Sequence, residues 1–310
     1  MFDKVRERIR LKVLETVHGG DLRLEGYSEP AGDPGLFGPD SVVWDVHAHP
    51  AGMLTGGFSA LMLQSLHPLA MAGVAEHSDY KADPLGRLNR TARYVTVTAF
   101  GSTADAEAQI AKVRRVHTFI HGVAPDGTPY SAEDPTLLTW VHVAEIRCFL
   151  AGYLAFGDRR LSPAERDRYV AETALLARRL GALEVPTSMA ELDAYLARMR
   201  PQLRPTPAAV EAVGFLRGFG RDPAERAATR ILMNGGISVL PGWARAQLGI
   251  RRPAPVRHLI DRPAVRLLSA VLVWACGPSE VAAAARARAA RPADAKALDT
   301  RVGGATSSSA

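Results

Sequence analysis

Apolar residues recur at three- and four-residue spacing along most of this chain, and strict alternation is scarce, which is the pattern of packed helices. Residues 3–18 predict an amphipathic helix with Val5, Ile9, Val13 and Val17 inward and Gly19 and Gly20 as its stop. Residues 19–40, rich in Gly, Pro and Asp, predict an extended loop, and Asp40 is placed to cap a helix from Ser41 to about His47. A long apolar helix or helix pair is expected from Pro50 to Ala75, divided at His67 because Pro68 lacks an N–H and clashes with the preceding turn. One start signal then repeats, a capping side chain followed by proline: Asp83-Pro84, Asp134-Pro135, Ser162-Pro163, Thr206-Pro207 and Asp222-Pro223. Ser188 with Glu191 forms a capping-box signature. Residues 93–100 (RYVTVTAF) carry strand propensity, but their neighbours from Arg87 to Thr91 suit a helix and the length favours one. Residues 110–122 read as the last turns of a helix with Ile110, Val113, Val116, His117 and Ile120 on one stripe and Gly122 at its end. Residues 123–133 read as a turn-rich loop, tightest at Asp126-Gly127. The expectation is an all-α, single-domain bundle: an N-terminal helix and loop over 1–40, a helical domain over 41–285, and a disordered tail over 286–310.

Composition changes this picture little. The chain has 310 residues, 47% hydrophobic and 23% charged, enough for a core that can enclose a cofactor. Its net charge of +6 comes from arginines spread beside Asp and Glu, which argues for a solvated surface rather than a nucleic-acid stripe. A basic face can still take anionic groups such as haem propionates or lipid headgroups. Two cysteines, Cys148 and Cys276, give no disulfide framework and no zinc spacing, which fits a reducing compartment. The start lacks the apolar run of a signal peptide. The most apolar segments, 50–75, 136–156 and 267–276, either carry ionisable residues (His67; His142, Glu145 and Arg147) or are too short to span. A cytoplasmic protein without an integral membrane segment is expected, and a homodimer is left open.

The chemistry lies in the histidines. His67, His77, His117, His121 and His142 sit in or beside apolar helices, where each ring nitrogen must find a partner or coordinate something. We read His117 as the ligand of a haem iron, with the other helices building the pocket. On a helix His117 and His121 would share a face, a spacing that can also bind a non-haem metal. No HExxH motif or evident third ligand accompanies them, and His121 beside Gly122 suits a helix C-terminus. Arg87, Arg90, Thr91 and Tyr94 cluster at helical spacing. They read either as a solvated basic face or as donors that stabilise negative charge on dioxygen. Trp44, His47, Trp140 and Trp243 are expected to line or seal the core, and Cys148 to be a buried thiol. CxxCH is absent, so a haem would be held non-covalently, and no phosphate-binding glycine loop stands out.

Two runs, LQSLHPLAMAGVAEHSDYKADPLGRLNRTARYVTVTAFG and VRRVHTFIHGVAPDGTPYSAEDPTLLTWVH, resemble the oxygenase family of bacterial latex-clearing protein (rubber oxygenase) and the fungal MpaB-type oxygenases. The similarity runs from about Gly38 to Leu203, with an echo at 240–250 (LPGWARAQLGI). The resemblance implies an all-helical, globin-like bundle holding a b-type haem. It places the family's proximal iron ligand on His117 and its distal Arg-x-x-Lys-Thr pattern on Arg87, Arg90 and Thr91, with Arg where the family has Lys. His67 and His142 are further candidates to contact the cofactor. The family's proton-abstracting Glu has no well-spaced counterpart; Glu76 and His77 lie nearest. The implied activity is that of a haem-b-dependent oxygenase or peroxygenase. It would use dioxygen or peroxide on a small hydrophobic substrate, in a pocket drawn from residues 50–75 and 137–156. The chain looks closer to the short bacterial members, so polyisoprene is not implied. The alternatives are a haem-binding or sensor protein without turnover, a non-haem metal enzyme using the same histidines, and a cofactor-free helical scaffold.

Overall fold

Proline at the first helical position, preceded by a side chain that takes an orphan N–H, sets where many of the helices begin. A computed structural model describes residues 2–18, 24–277 and 279–292. The chain runs through α1 (Phe2–His18), α2 (Glu25–Ser28), α3 (Val42–His47), α4 (Pro50–Gln64), α5 (Pro68–His77), α6 (Pro84–Phe100) and α7 (Thr103–His117). A short antiparallel hairpin follows, β1 (His121–Val123) against β2 (Pro129–Ser131), with Gly122 opposite Tyr130. Next come α8 (Pro135–Phe156), α9 (Pro163–Leu180), α10 (Met189–Met199), α11 (Pro207–Gly218) and α12 (Pro223–Val239). The series closes with α13 (Gly242–Gln247), α14 (Ala254–Val256), α15 (Arg262–Cys276) and α16 (Glu280–Ala290), a π-helical turn at Arg257–Asp261 joining α14 to α15. The fold is all-α apart from the hairpin.

All five proline-start signals cap helices as expected, from Asp83 accepting the Gly86 N–H to Asp222 accepting that of Glu225. Ser162 and Glu165 form a full reciprocal box that the sequence reading had not singled out. At Ser188 the box is displaced, because the Glu191 carboxylate takes the Thr187 N–H at 2.7 Å. Residues 93–100 are helical. The α3 cap is Ser41 rather than Asp40: the Ser41 hydroxyl takes the Trp44 N–H, and the Asp40 carbonyl is occupied by Arg168. The loop expected at 123–133 is partly the β1–β2 hairpin, turned by Gly127 at φ +85°. The side chains of Val5, Val13 and Val17, and the stop at Gly19 and Gly20, lie outside the described residues, as does the tail from 293 to 310.

The tail assignment needs correction at its start. Residues 286–290 are the last turns of α16, and Arg288 is fully buried. Its guanidinium donates to the carbonyls of Asp33 (2.9 Å), Tyr27 (3.0 Å), Phe100 (2.9 Å) and Gly101 (3.1 Å). It thereby ties the N-terminal loop to the corner between α6 and α7.

The core is layered on α8. α4 lies along it so closely that a Cβ on Gly56 would stand 2.8 Å from the Cys148 carbonyl oxygen and the Phe149 Cα. α12 packs on α4 as well, where a Cβ on Gly236 would meet the Thr55 carbonyl at 2.9 Å. Small residues let these backbones meet, so α4 and α8 enclose no cavity where they touch. The expected substrate pocket between residues 50–75 and 137–156 is closed along that line by packing. Trp44 and Trp140 are fully buried and donate their indole N–H groups to Ala99 and Gln64 carbonyls, while Trp243 stays half-buried under Arg200. By length and composition α8 could cross a membrane, and so could two bent helix pairs, yet 67% of its apolar window is buried inside the protein.

Candidate functional site

Helix α6 carries the first wall. Arg87, Thr91 and Tyr94 fall at i, i+4 and i+7, so they share one face. The Arg87 guanidinium donates to the Thr91 hydroxyl, and its Nε donates to Ser78 Oγ at 3.2 Å. Burial lowers the Arg87 pKa, helped by the nearby Arg90 charge, and no carboxylate pairs with it among the described residues. Arg90 does not join this pair. It is exposed and bound to Asp83 at 3.3 Å.

The second wall comes from α8. Glu145 is the one acid in that long apolar helix, and burial lifts its carboxyl to about 7. Tyr94 faces it electrostatically: burial raises the phenol well above its ordinary value, and the Glu145 charge raises it further. On α3, His47 is pushed down to about 4 by burial. One ring nitrogen of His47 lies 3.1 Å from the Tyr169 hydroxyl of α9, and its Nδ1 is buried without a partner. Tyr94, Glu145 and His47 nonetheless keep accessible surface. From groups that are desolvated by protein yet keep accessible surface we infer a recess between α6 and α8, which are not close neighbours in the bundle.

His117 is not placed as the sequence suggests. The helix ends at His117 itself. Val116 and Phe119 are exposed, and His121 lies exposed in β1, so no HxxxH pair shares a helix face. Repeating apolar letters suggested the stripe, but the chain leaves the helix to make the hairpin. Gly122 is not the helix stop; it is the residue over which Tyr130 donates to the Glu76 carboxylate. His117 is half-buried, and its ring has no hydrogen-bond partner among the described residues. Burial lowers its pKa, partly offset by Glu133, so the ring is neutral at pH 7. One short helix makes contact near both residues. In α5, Gly73 packs against Ile120, three residues past His117, and the Ser78 C-cap holds Arg87.

The remaining candidates divide. His142 is buried on α8, its Nε2 is without a partner and its pKa falls to about 4. It precedes Glu145 by one turn. His67 caps no N–H at the start of α5, packs 6.0 Å from Trp140 and leaves Nδ1 unpartnered. Glu76 and His77 are exposed beside Tyr130, which argues against either as a base in the recess. Cys148 is a buried neutral thiol, raised to about 11. Glu145, Tyr169 and the role of His47 were missed by sequence reasoning; a single carboxyl in the run TWVHVAEIRCFL was the available signal.

These buried groups set an acid limit on stability. His47 and His142, lowered from 6.5 to about 4, leave the unfolded chain binding more protons in that window, so stability falls as pH drops through it. Glu145, raised from 4.5 to about 7, acts in the opposite sense, losing stability as pH rises. Two histidines outweigh one carboxyl, so urea denaturation should show a net loss of about 2 kcal/mol between pH 6.5 and 4.5. His142→Gln should flatten that slope, and an unchanged slope would contradict its burial as a neutral ring.

Residues 44–289 match the family described as ER-bound oxygenase mpaB/B'/rubber oxygenase, catalytic domain. The match extends well beyond residue 203, through most of α16. No curated protein and no solved structure matches the chain.

Proposed function

The chain belongs to the mpaB/rubber oxygenase catalytic-domain family, and on that premise we propose that it is a haem-b-dependent oxygenase or peroxygenase acting on a small apolar substrate. The observation that carries this reading is a desolvated Arg87 held by Thr91 and Ser78 without a carboxylate; separately, His117 ends α7 half-buried with no hydrogen-bond partner among the described residues. An iron porphyrin needs one imidazole lone pair and donors for negative charge, and these residues offer both. A non-haem site is less well supported, because no group of three or more His, Cys, Asp or Glu side chains converges among the described residues.

In this reading His117 holds the haem, and His142 and His67 are further contacts through their unpartnered nitrogens. When bound, the haem supplies the redox chemistry that activates dioxygen or peroxide. The chain's own residues do the rest. Arg87, held in place by the Thr91 and Ser78 oxygens, presents its remaining N–H groups as fixed donors that need no reorganisation as charge develops, while Thr91 gives its own proton to the Arg87 carbonyl and acts as the positioning group. Glu145, poised near neutrality, can take or return a proton within the recess, and Tyr94 opposite it remains a neutral donor. The enclosed walls exclude bulk water and favour an apolar substrate.

Substrate-dependent oxygen uptake by haem-reconstituted protein tests the reading, since a haem carrier would bind haem and consume none. Arg87→Ala should keep haem affinity within about tenfold yet slow oxygen uptake about 100-fold. Unchanged turnover in that variant would remove Arg87 from the reaction.

A further inference from the structure

At the far end of α8 from Glu133 and His142, a second surface has no role in this chemistry. The π-helical turn and α15 present Leu259 and Ile260, 75% and 59% exposed, then Leu267, 69% exposed, followed by Val271 and Trp274. From Ile260 these positions advance by seven, four and three residues, so they form one outward apolar stripe about 21 Å long. A folded chain rarely leaves such a stripe uncovered.

The exposed charges on the stripe's own segment are of one sign. Residues 251–276 hold five arginines and a single acid, Asp261, which is buried and already bound by Arg252 at 2.6 Å. Arg257, Arg262 and Arg266 lie close enough to lower the Arg262 pKa together with burial, and none has a carboxylate partner among the described residues. Arg266 reaches only the Ala155 carbonyl at 3.2 Å and Arg257 only that of Arg252 at 2.6 Å. Such guanidinium groups suit phosphate oxygens.

We propose that this face, Leu259 to Trp274 with Arg257, Arg262 and Arg266, docks the protein peripherally on an anionic phospholipid surface. The apolar stripe sits at the headgroup–acyl boundary and the guanidinium groups bind lipid phosphates. A second copy of the chain is a poorer occupant, because apposing two such faces sets unpaired arginines against unpaired arginines.

Sedimentation of the full chain with vesicles tests this. Vesicles of phosphatidylcholine with phosphatidylglycerol should retain the protein, vesicles of phosphatidylcholine alone should retain far less, and added salt should weaken the binding. Leu259→Glu with Leu267→Glu should lower the partition coefficient at least about tenfold, with an unchanged thermal midpoint because both sites are exposed. Arg262→Gln with Arg266→Gln should reduce the salt dependence. Absence of binding to either vesicle, equal binding to both, or binding unchanged in the leucine variant would overturn the proposal. So would a concentration-dependent dimer in light scattering that the leucine variant abolishes, since it would assign the face to a second copy.

Discussion

Arg288→Ala is expected to lower the free energy of unfolding by about 4 kcal/mol, more than a typical single substitution. The side chain is fully buried and donates to four carbonyls from three separate stretches of chain. Removing it leaves those carbonyls without a donor in a place water cannot readily enter, and hydrogen bonds from a charged donor are the strong kind. Arg288→Lys should recover little, because an ammonium cannot reach four acceptors spread around a planar fork. The change also bears on the site. Two of the carbonyls, those of Phe100 and Gly101, form the corner from which α6 carries Arg87 and Thr91 and α7 carries His117. Urea denaturation measures the loss, and a change below about 1 kcal/mol would show that α16 is not what fixes that corner.

His117→Ala is expected to weaken haem binding at least about 100-fold while leaving the fold intact. Loss of a residue that merely supports a metal ligand costs ten- to a hundredfold in affinity, so loss of the ligand itself should cost more. The fold should not suffer, because the ring is half-buried at a helix end and makes no hydrogen bond among the described residues. Being neutral, it also contributes nothing to the helix dipole. Added imidazole should restore binding to the variant, an effect that simple unfolding could not produce. Undiminished haem binding would move the ligand to His142 or His67, the two rings with unpartnered nitrogens deeper in the bundle.

Local physics was legible in the sequence wherever it acts within a few residues. A cap followed by proline set helix starts at Asp83, Asp134, Ser162, Thr206 and Asp222, and the i, i+4, i+7 spacing put Arg87, Thr91 and Tyr94 on one face. Long-range effects were hidden. The pattern around His117 continues smoothly to Gly122, whereas the chain leaves the helix at His117 for a hairpin that packs against Gly73 and Glu76, contacts invisible to local periodicity. Arg288 stands in an Ala/Arg-rich stretch that looks solvated, and its four acceptors lie more than 180 residues away in sequence. Glu145 read as an argument against a membrane span; it marks the recess because α6 brings Tyr94 opposite it. The glycines of α4 and α8 carried no pocket signal either way, and their contact closes the space assigned to substrate.

The account turns on His117 as the single axial ligand of a haem. Its most direct test is the absorption spectrum of the purified protein reconstituted with haem, recorded beside His117→Ala. The wild-type protein should show a Soret band that saturates at one haem per chain and shifts on reduction, and the variant should show free haem. No Soret band in the wild-type protein, or an identical band in the variant, would contradict it.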